Sequence, residues 1–203
     1  NVDCVKALIE SGPKIDQVDN DGGSPLFAAA IKGNNTIVGL LLDSKADMNL
    51  GDKNGSTPLC TASFHGQVET ARLLLQRKAN VNMGQANGAT PLYIACDTGN
   101  SKIVSLLIQS RASLDAAIQG GATPLLSASD RGNATAVQLL VTAKANVNIA
   151  KADGTTALYI ASQKGRADIV RILAKNGAEV DVSTGAGFTP LHACCTANGS
   201  ADA

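Results

Sequence analysis

From Asn87 to Asn100 the chain reads NGATPLYIACDTGN, which sets the phenol of Tyr93, the thiol of Cys96, the carboxylate of Asp97 and the hydroxyl of Thr98 close together. The chemistry this suggests is nucleophilic. A thiolate would attack an electrophile while a neighbouring base took its proton. That base is missing from the stretch. The chain has 2 His, His65 and His192, and neither lies there. Neither His has partners at metal-ligand spacing either. Cys194 and Cys195 are adjacent on one predicted helix and point different ways, so they do not suggest a disulfide. The double glycines Gly22–Gly23 and Gly120–Gly121 lack the Lys-Ser/Thr that completes a phosphate loop.

The stretch also recurs. Gly88 returns as Gly22, Gly55, Gly121, Gly154 and Gly187, each 33 residues from the next. Gly99 returns as Gly33, Gly66, Gly132 and Gly165, with Asn198 and Gly199 in the last copy. The block at Thr90–Leu92 returns at Ser24, Thr57, Thr123, Thr156 and Thr189. The chain therefore divides into a partial unit at 1–18, full units at 19–51, 52–84, 85–117, 118–150 and 151–183, and a partial unit at 184–203. The chemically suggestive residues do not recur as a set. The Cys96 slot holds Ala30, Ser63, Ser129, Ser162 and Cys195, and the Asp97 slot holds Ile31, Phe64, Asp130, Gln163 and Thr196. Cys96 thus reads as a small packing residue, as free Cys often is. No catalytic, cofactor or metal site is expected.

Each recurring residue has a structural reason. Thr90 is an N-cap, and Pro91 takes the first helical position, where its missing N–H costs nothing. Leu92 and Ala95 share one helix face. Gly99 ends the helix in a left-handed conformation, and Asn100 is placed to cap the next helix. Ile103, Val104, Leu106, Leu107 and Ile108 suit a helix lying between neighbours. Gly88 fits a tight turn. Such helix pairs are too small to bury their own apolar faces, so they must stack. At about 8–10 Å per helix layer the stack would be roughly 50–60 Å long.

The totals agree. Lys+Arg and Asp+Glu are 17 each, so no net field favours nucleic acid or an anionic membrane. No run of 18 apolar residues would cross a bilayer. The opening NVDCVKALIE contains acids and reads as helix, not as a signal peptide. Because the chain starts without Met and in mid-unit, an upstream part is expected. The 5 Cys form no CxxC pair and are expected to be free thiols, which points to a reducing intracellular compartment.

Period, G-x-T-P-L block, inter-helix Gly and A-[DN]-V-N ending together resemble the ankyrin-repeat family over essentially the whole chain. The resemblance implies an all-α solenoid of stacked helix-turn-helix units with projecting β-hairpin loops. It also implies that His192, in TPLH, is bonded within its own turn. The family normally places Gly after the second helix. Gly12 and Gly177 keep it, but Lys45, Lys78, Arg111 and Lys144 replace it. A left-handed residue other than Gly costs about 1 kcal/mol, and a cation at a helix C-terminus returns about 0.3–1 kcal/mol. The four could therefore be structurally neutral, or a basic column about 10 Å per step suited to an acidic partner. Thr70, Ala71 and Ala136 fill slots held elsewhere by larger residues, so those helices are expected to be underpacked. The hairpins are small-sided, with Ala86, Ala89, Ala116, Ala117, Ala122, Ala150, Ala152 and Ala186. Neither end shows the polar face of a capping repeat.

The function implied is non-catalytic binding of a protein partner on the concave face. The resemblance puts Phe64, His65, Asp97, Thr98, Asp130, Arg131, Gln163 and Lys164 there. From the hairpins it adds Lys53, Asn54, Asn87, Gln119 and Asp153. Phe64 is the expected aromatic anchor. The alternatives are a structural spacer or scaffold subunit of a larger assembly, favoured by the small-sided hairpins, and a regulatory array of a longer enzyme or channel. Neither nucleic-acid binding nor membrane insertion is expected.

Overall fold

In the computed structural model, which describes residues 1–196, each TPL block begins a helix. The inner helices are α2 (Pro25–Lys32), α4 (Pro58–Phe64), α6 (Pro91–Thr98), α8 (Pro124–Arg131), α10 (Ala157–Gln163) and α12 (Pro190–Thr196). The outer helices are α1 (Val2–Glu10), α3 (Asn35–Asp43), α5 (Val68–Gln76), α7 (Ser101–Gln109), α9 (Ala134–Thr142) and α11 (Ala167–Lys175). Inner helices pack on inner helices and outer on outer, giving two layers with the core between them. The position of Asn198 and Gly199 lies outside the described residues.

The helix starts are made by the expected caps. The hydroxyls of Ser24, Thr57, Thr90, Thr123 and Thr156 accept the backbone N–H three residues on, at 3.1–3.3 Å. Each helix of a full pair is followed by a left-handed residue. After α3 the N–H of Lys45 bonds to Leu42 O at 3.0 Å and that of Ala46 to Leu41 O at 2.9 Å. This is the Schellman pattern, and the buried Ala46 packs with Leu41 in the core as that motif favours. Lys78, Arg111 and Lys144 repeat it with φ of 70°, 63° and 74°, against 64° at Lys45. The conformational cost foreseen at these four positions is therefore present.

Two expectations need correction. Asn100 does not cap its own helix with its side chain. Its Nδ2 instead donates to Ser63 O at 2.8 Å, in the preceding pair, and Asn133 likewise donates to Cys96 O at 2.7 Å. Thr70 is also not a simple lack of volume. It is buried, and its hydroxyl donates to Asn35 Oδ1 at 2.8 Å across the boundary between pairs. A larger aliphatic residue there would remove that bond. Ala71 and Ala136 are fully buried within the same core.

The loops are tight turns more than strands. A single antiparallel bridge, Ala150 with Thr156, is present among the described residues. Each turn closes on itself, as where the Asp52 N–H bonds to Ser56 O at 3.0 Å. Neighbouring turns then join through Lys53 N–H to Asp21 O, Ala86 to Asn54, Gln119 to Asn87 and Gly185 to Asp153, at 2.8–3.0 Å. Gly22 (φ 83°) shows why Gly is needed there, since a Cβ would stand 2.8 Å from Lys53 N. The matching bond from Ala152 to Gly120 is absent among the described residues. The opposite edge of the stack has its own ladder. There the backbone N–H groups of Asp47, Asn80, Ser113, Asn146 and Glu179 donate to the side chains of Asp16, Asn49, Asn82, Asp115 and Asn148, at 2.8–3.0 Å.

Candidate interaction groove

Residues four apart on a helix share a face. On α6 this pairs Tyr93 with Asp97, on α8 Ser127 with Arg131, and on α10 Tyr159 with Gln163 and Ile160 with Lys164. These faces point into the angle between the inner helices and the turns. With Lys151, Asp153, Thr155 and Phe188 they line an open groove of about 700 Å³.

Four of its six charged side chains are paired in advance. Arg131 grips Asp97 with Nε to Oδ1 at 2.9 Å and Nη2 to Oδ2 at 3.1 Å. Ser127 Oγ donates to the same Oδ1 at 2.8 Å. The Asp97 carboxylate, by hydrogen bond and charge, holds the Arg131 guanidinium above its ordinary pKa. Lys164 Nζ lies 3.6 Å from Asp130. Burial first, then the Asp97 charge, pushes the Tyr93 phenol up, while a bond with Ser127 opposes the shift. Beside Thr155, whose side chain and backbone bond to it, the Asp153 carboxyl titrates below its usual range.

Of the residues expected to face a partner, the groove brings together Asp97, Asp130, Arg131, Asp153, Gln163 and Lys164. It leaves out Phe64 and His65, which lie one helix earlier, edge to face with ring centroids 5.1 Å apart. Phe64 is 59 % exposed. Thr98 is committed locally, donating to Ile94 O at 2.9 Å and accepting from Asn100 at 2.8 Å. Asn54, Asn87 and Gln119 take part in joining the turns, and Lys53 donates its backbone N–H there. Sequence reasoning missed Tyr93, Ser127, Tyr159 and Phe188. The signal was available for the first three, since each sits four residues before a residue already placed on this face.

The chemistry on offer is binding. Cys96 is fully buried, and burial raises its thiol pKa, which suppresses the thiolate. Cys60 is buried too, with its Sγ 3.3 Å from Met83 O. All five cysteines are free. His192 Nδ1 lies 2.8 Å from Thr189 Oγ1, inside its own turn. Among the described residues no group of His, Cys, Asp and Glu could hold a metal ion, and no helix is long and apolar enough to cross a membrane.

Comparison with known proteins agrees with this architecture. The family model for ankyrin repeats matches three times, over residues 1–85, 78–151 and 128–203. No curated protein sequence matches the chain. Among solved structures, the chain is similar to the ankyrin repeat domain of Bcl-3, described as a unique member of the IkappaB protein family. The TM-score is 0.84 at 29% identity, over 95% of this chain and 86% of that one. Arrays of this kind are generally protein–protein interaction modules and typically non-catalytic. With its repeats matched from residue 1 to residue 203 and its helix pairs stacked in two layers, this chain belongs to the ankyrin-repeat family.

Proposed function

We propose that the array is a non-catalytic docking module that holds a protein partner in the groove between the inner helices and the turns. One observation carries this reading. Tyr93, Tyr159 and Phe188 line one groove in which Asp97 is already paired with Arg131 and Asp130 with Lys164. Aromatic side chains supply large contact area at low entropic cost and dominate binding energy. The Asp97–Arg131 clamp orients polar groups before the partner arrives, which lowers the ordering cost of association. Phe64 and His65, with Lys53, Asn54, Asn87, Thr98 and Gln119, extend the same surface toward the N-terminal end.

Affinity capture from the native source with the parent chain, followed by quantitative binding of the captured protein, tests the reading. Tyr159→Ala combined with Arg131→Ala should weaken binding at least tenfold, about 1.4 kcal/mol, with an unchanged circular-dichroism melt. Phe64→Ala should have a smaller effect. Binding that survives these changes and is lost on substituting Lys102 or Arg171 of the outer helices would overturn the reading. It would favour a spacer docked by its outer layer.

A further inference from the structure

A second surface lies at the far end of the outer helices. Lys45, Lys78, Arg111 and Lys144 occupy one structural position in four successive helix pairs. All four are exposed, and they are the non-glycine residues of positive φ among the described residues. At the equivalent position after α1 and α11 the chain has Gly12 and Gly177. A Cβ on either would meet nothing within 4 Å. The site is thus open, and the backbone conformation favours Gly. The chain nonetheless carries a cation there four times running. A non-glycine residue kept in this conformation at four corresponding positions is a pointer to use, since the charge at the helix end at best offsets the strain.

The four cations make no direct ion pair among the described residues. On the same edge Asp43 is bound to Arg77 at 2.8 Å. The carboxylates of Asp16, Asp47 and Asp115 each accept a backbone N–H in the loops. Exposed Lys175 adds a cation at the end of α11. On a chain of zero net charge, the row is a line of cations without direct ion pairs.

We propose that this row binds an extended acidic polypeptide segment, with one carboxylate opposite each cation. Spacing selects the occupant. Successive outer helices lie about 10 Å apart, and a chain extended as a polyproline II helix brings every third side chain back to the same face about 9 Å further on. An acid at every third residue therefore matches the row. The phosphates of a nucleic acid are much more closely spaced and call for a broad basic field, which this balanced chain lacks. This surface is separate from the groove of the inner helices.

The test uses a fluorescent peptide of five Gly-Ser-Glu triplets, titrated by anisotropy at low salt. The parent chain is compared with a variant carrying Lys45→Gly, Lys78→Gly, Arg111→Gly and Lys144→Gly. Glycine suits the backbone at all four sites, so the variant should melt no lower than the parent. It should bind the peptide about tenfold more weakly, as expected for four exposed ion pairs. A Lys45→Arg, Lys78→Arg, Lys144→Arg variant should keep the affinity, and Tyr159→Ala should leave it unchanged. A Gly-Ser-Gln peptide should not bind, and added salt should weaken the parent complex. Equal binding by the parent and the glycine variant would overturn the proposal. So would a preference for the same number of acids clustered at one end of the peptide, or tighter binding of a single-stranded oligonucleotide of equal length.

Discussion

Each full helix pair contains two left-handed turns, and they follow different rules. The turn between inner and outer helix is always glycine, at Gly33, Gly66, Gly99, Gly132 and Gly165. The turn after the outer helix is a cation in four pairs. The dihedrals are alike, with φ of 77° at Gly99 and 70° at Lys78. What differs is the space. A Cβ on Gly99 would lie 3.0 Å from the Asn133 side chain, and one on Gly132 would lie 2.8 Å from Arg166. These side chains belong to the next pair, and the Asn crosses over the glycine to reach a carbonyl. At the second turn a Cβ on Gly12 or Gly177 would meet nothing within 4 Å. The left-handed backbone disfavours a side chain at both places, but steric exclusion acts only at the first. Gly165, with nothing within 4 Å, is the one inner turn where crowding does not contribute.

The largest effect should come from forcing the second rule on the first position. Gly99→Lys adds the backbone cost of about 1 kcal/mol and displaces Asn133 from Cys96 O, worth about 1 kcal/mol more. Urea unfolding should show a loss of roughly 2 kcal/mol. If the loss is no greater than for Gly165→Lys, crowding is not what separates the two turns. A smaller effect is expected from the bridging side chain alone. Asn133→Ala should cost about 1 kcal/mol. In that background Gly99→Ala should cost less than in the parent, since the neighbour has gone. Additive costs in the double-mutant cycle would break the link between Gly99 and Asn133. The smallest effect belongs to the second turn. Lys78→Gly removes about 1 kcal/mol of strain and forfeits about 0.3–1 kcal/mol of favourable charge at the helix end. Stability should hold or rise by at most about 0.7 kcal/mol. A clear loss would mean that the lysine stem packs on the surface and earns its place sterically.

What the sequence made legible was whatever a single repeat decides. Thr caps, Pro at the first position, the glycine turns and the buried Leu and Ala positions all follow from local chemistry, and period 33 multiplied that signal. Interactions between repeats were hidden. Asn100 looks like a cap because its neighbours in sequence are a helix start, yet its partner is Ser63, 37 residues earlier. Thr70 looks like a deficit of volume until Asn35 is placed beside it. The groove was half legible for the same reason. Asp97 and Arg131 could each be assigned to one face, but their clamp spans 34 residues and depends on how far α8 is displaced from α6. Tyr93 and Tyr159 sit four residues before Asp97 and Gln163, which puts them on the same surface.

The two edges of the stack also differ mechanically. Along the outer edge, five side-chain bonds tie every neighbour from Asp16 to Glu179 without a break. Along the turn edge, the backbone ties run from Asp21 to Gln119 and resume at Asp153, skipping Gly120 and Ala152. A slab held along one side and unstitched at one point on the other behaves like a book with a firm spine. Its softest bending mode opens the pages at that point. That point lies on the rim of the groove, between Ala122 and Lys151. The boundary between the fourth and fifth full units thus has one backbone hydrogen bond fewer on the turn side to resist opening, while its outer edge is tied like the rest.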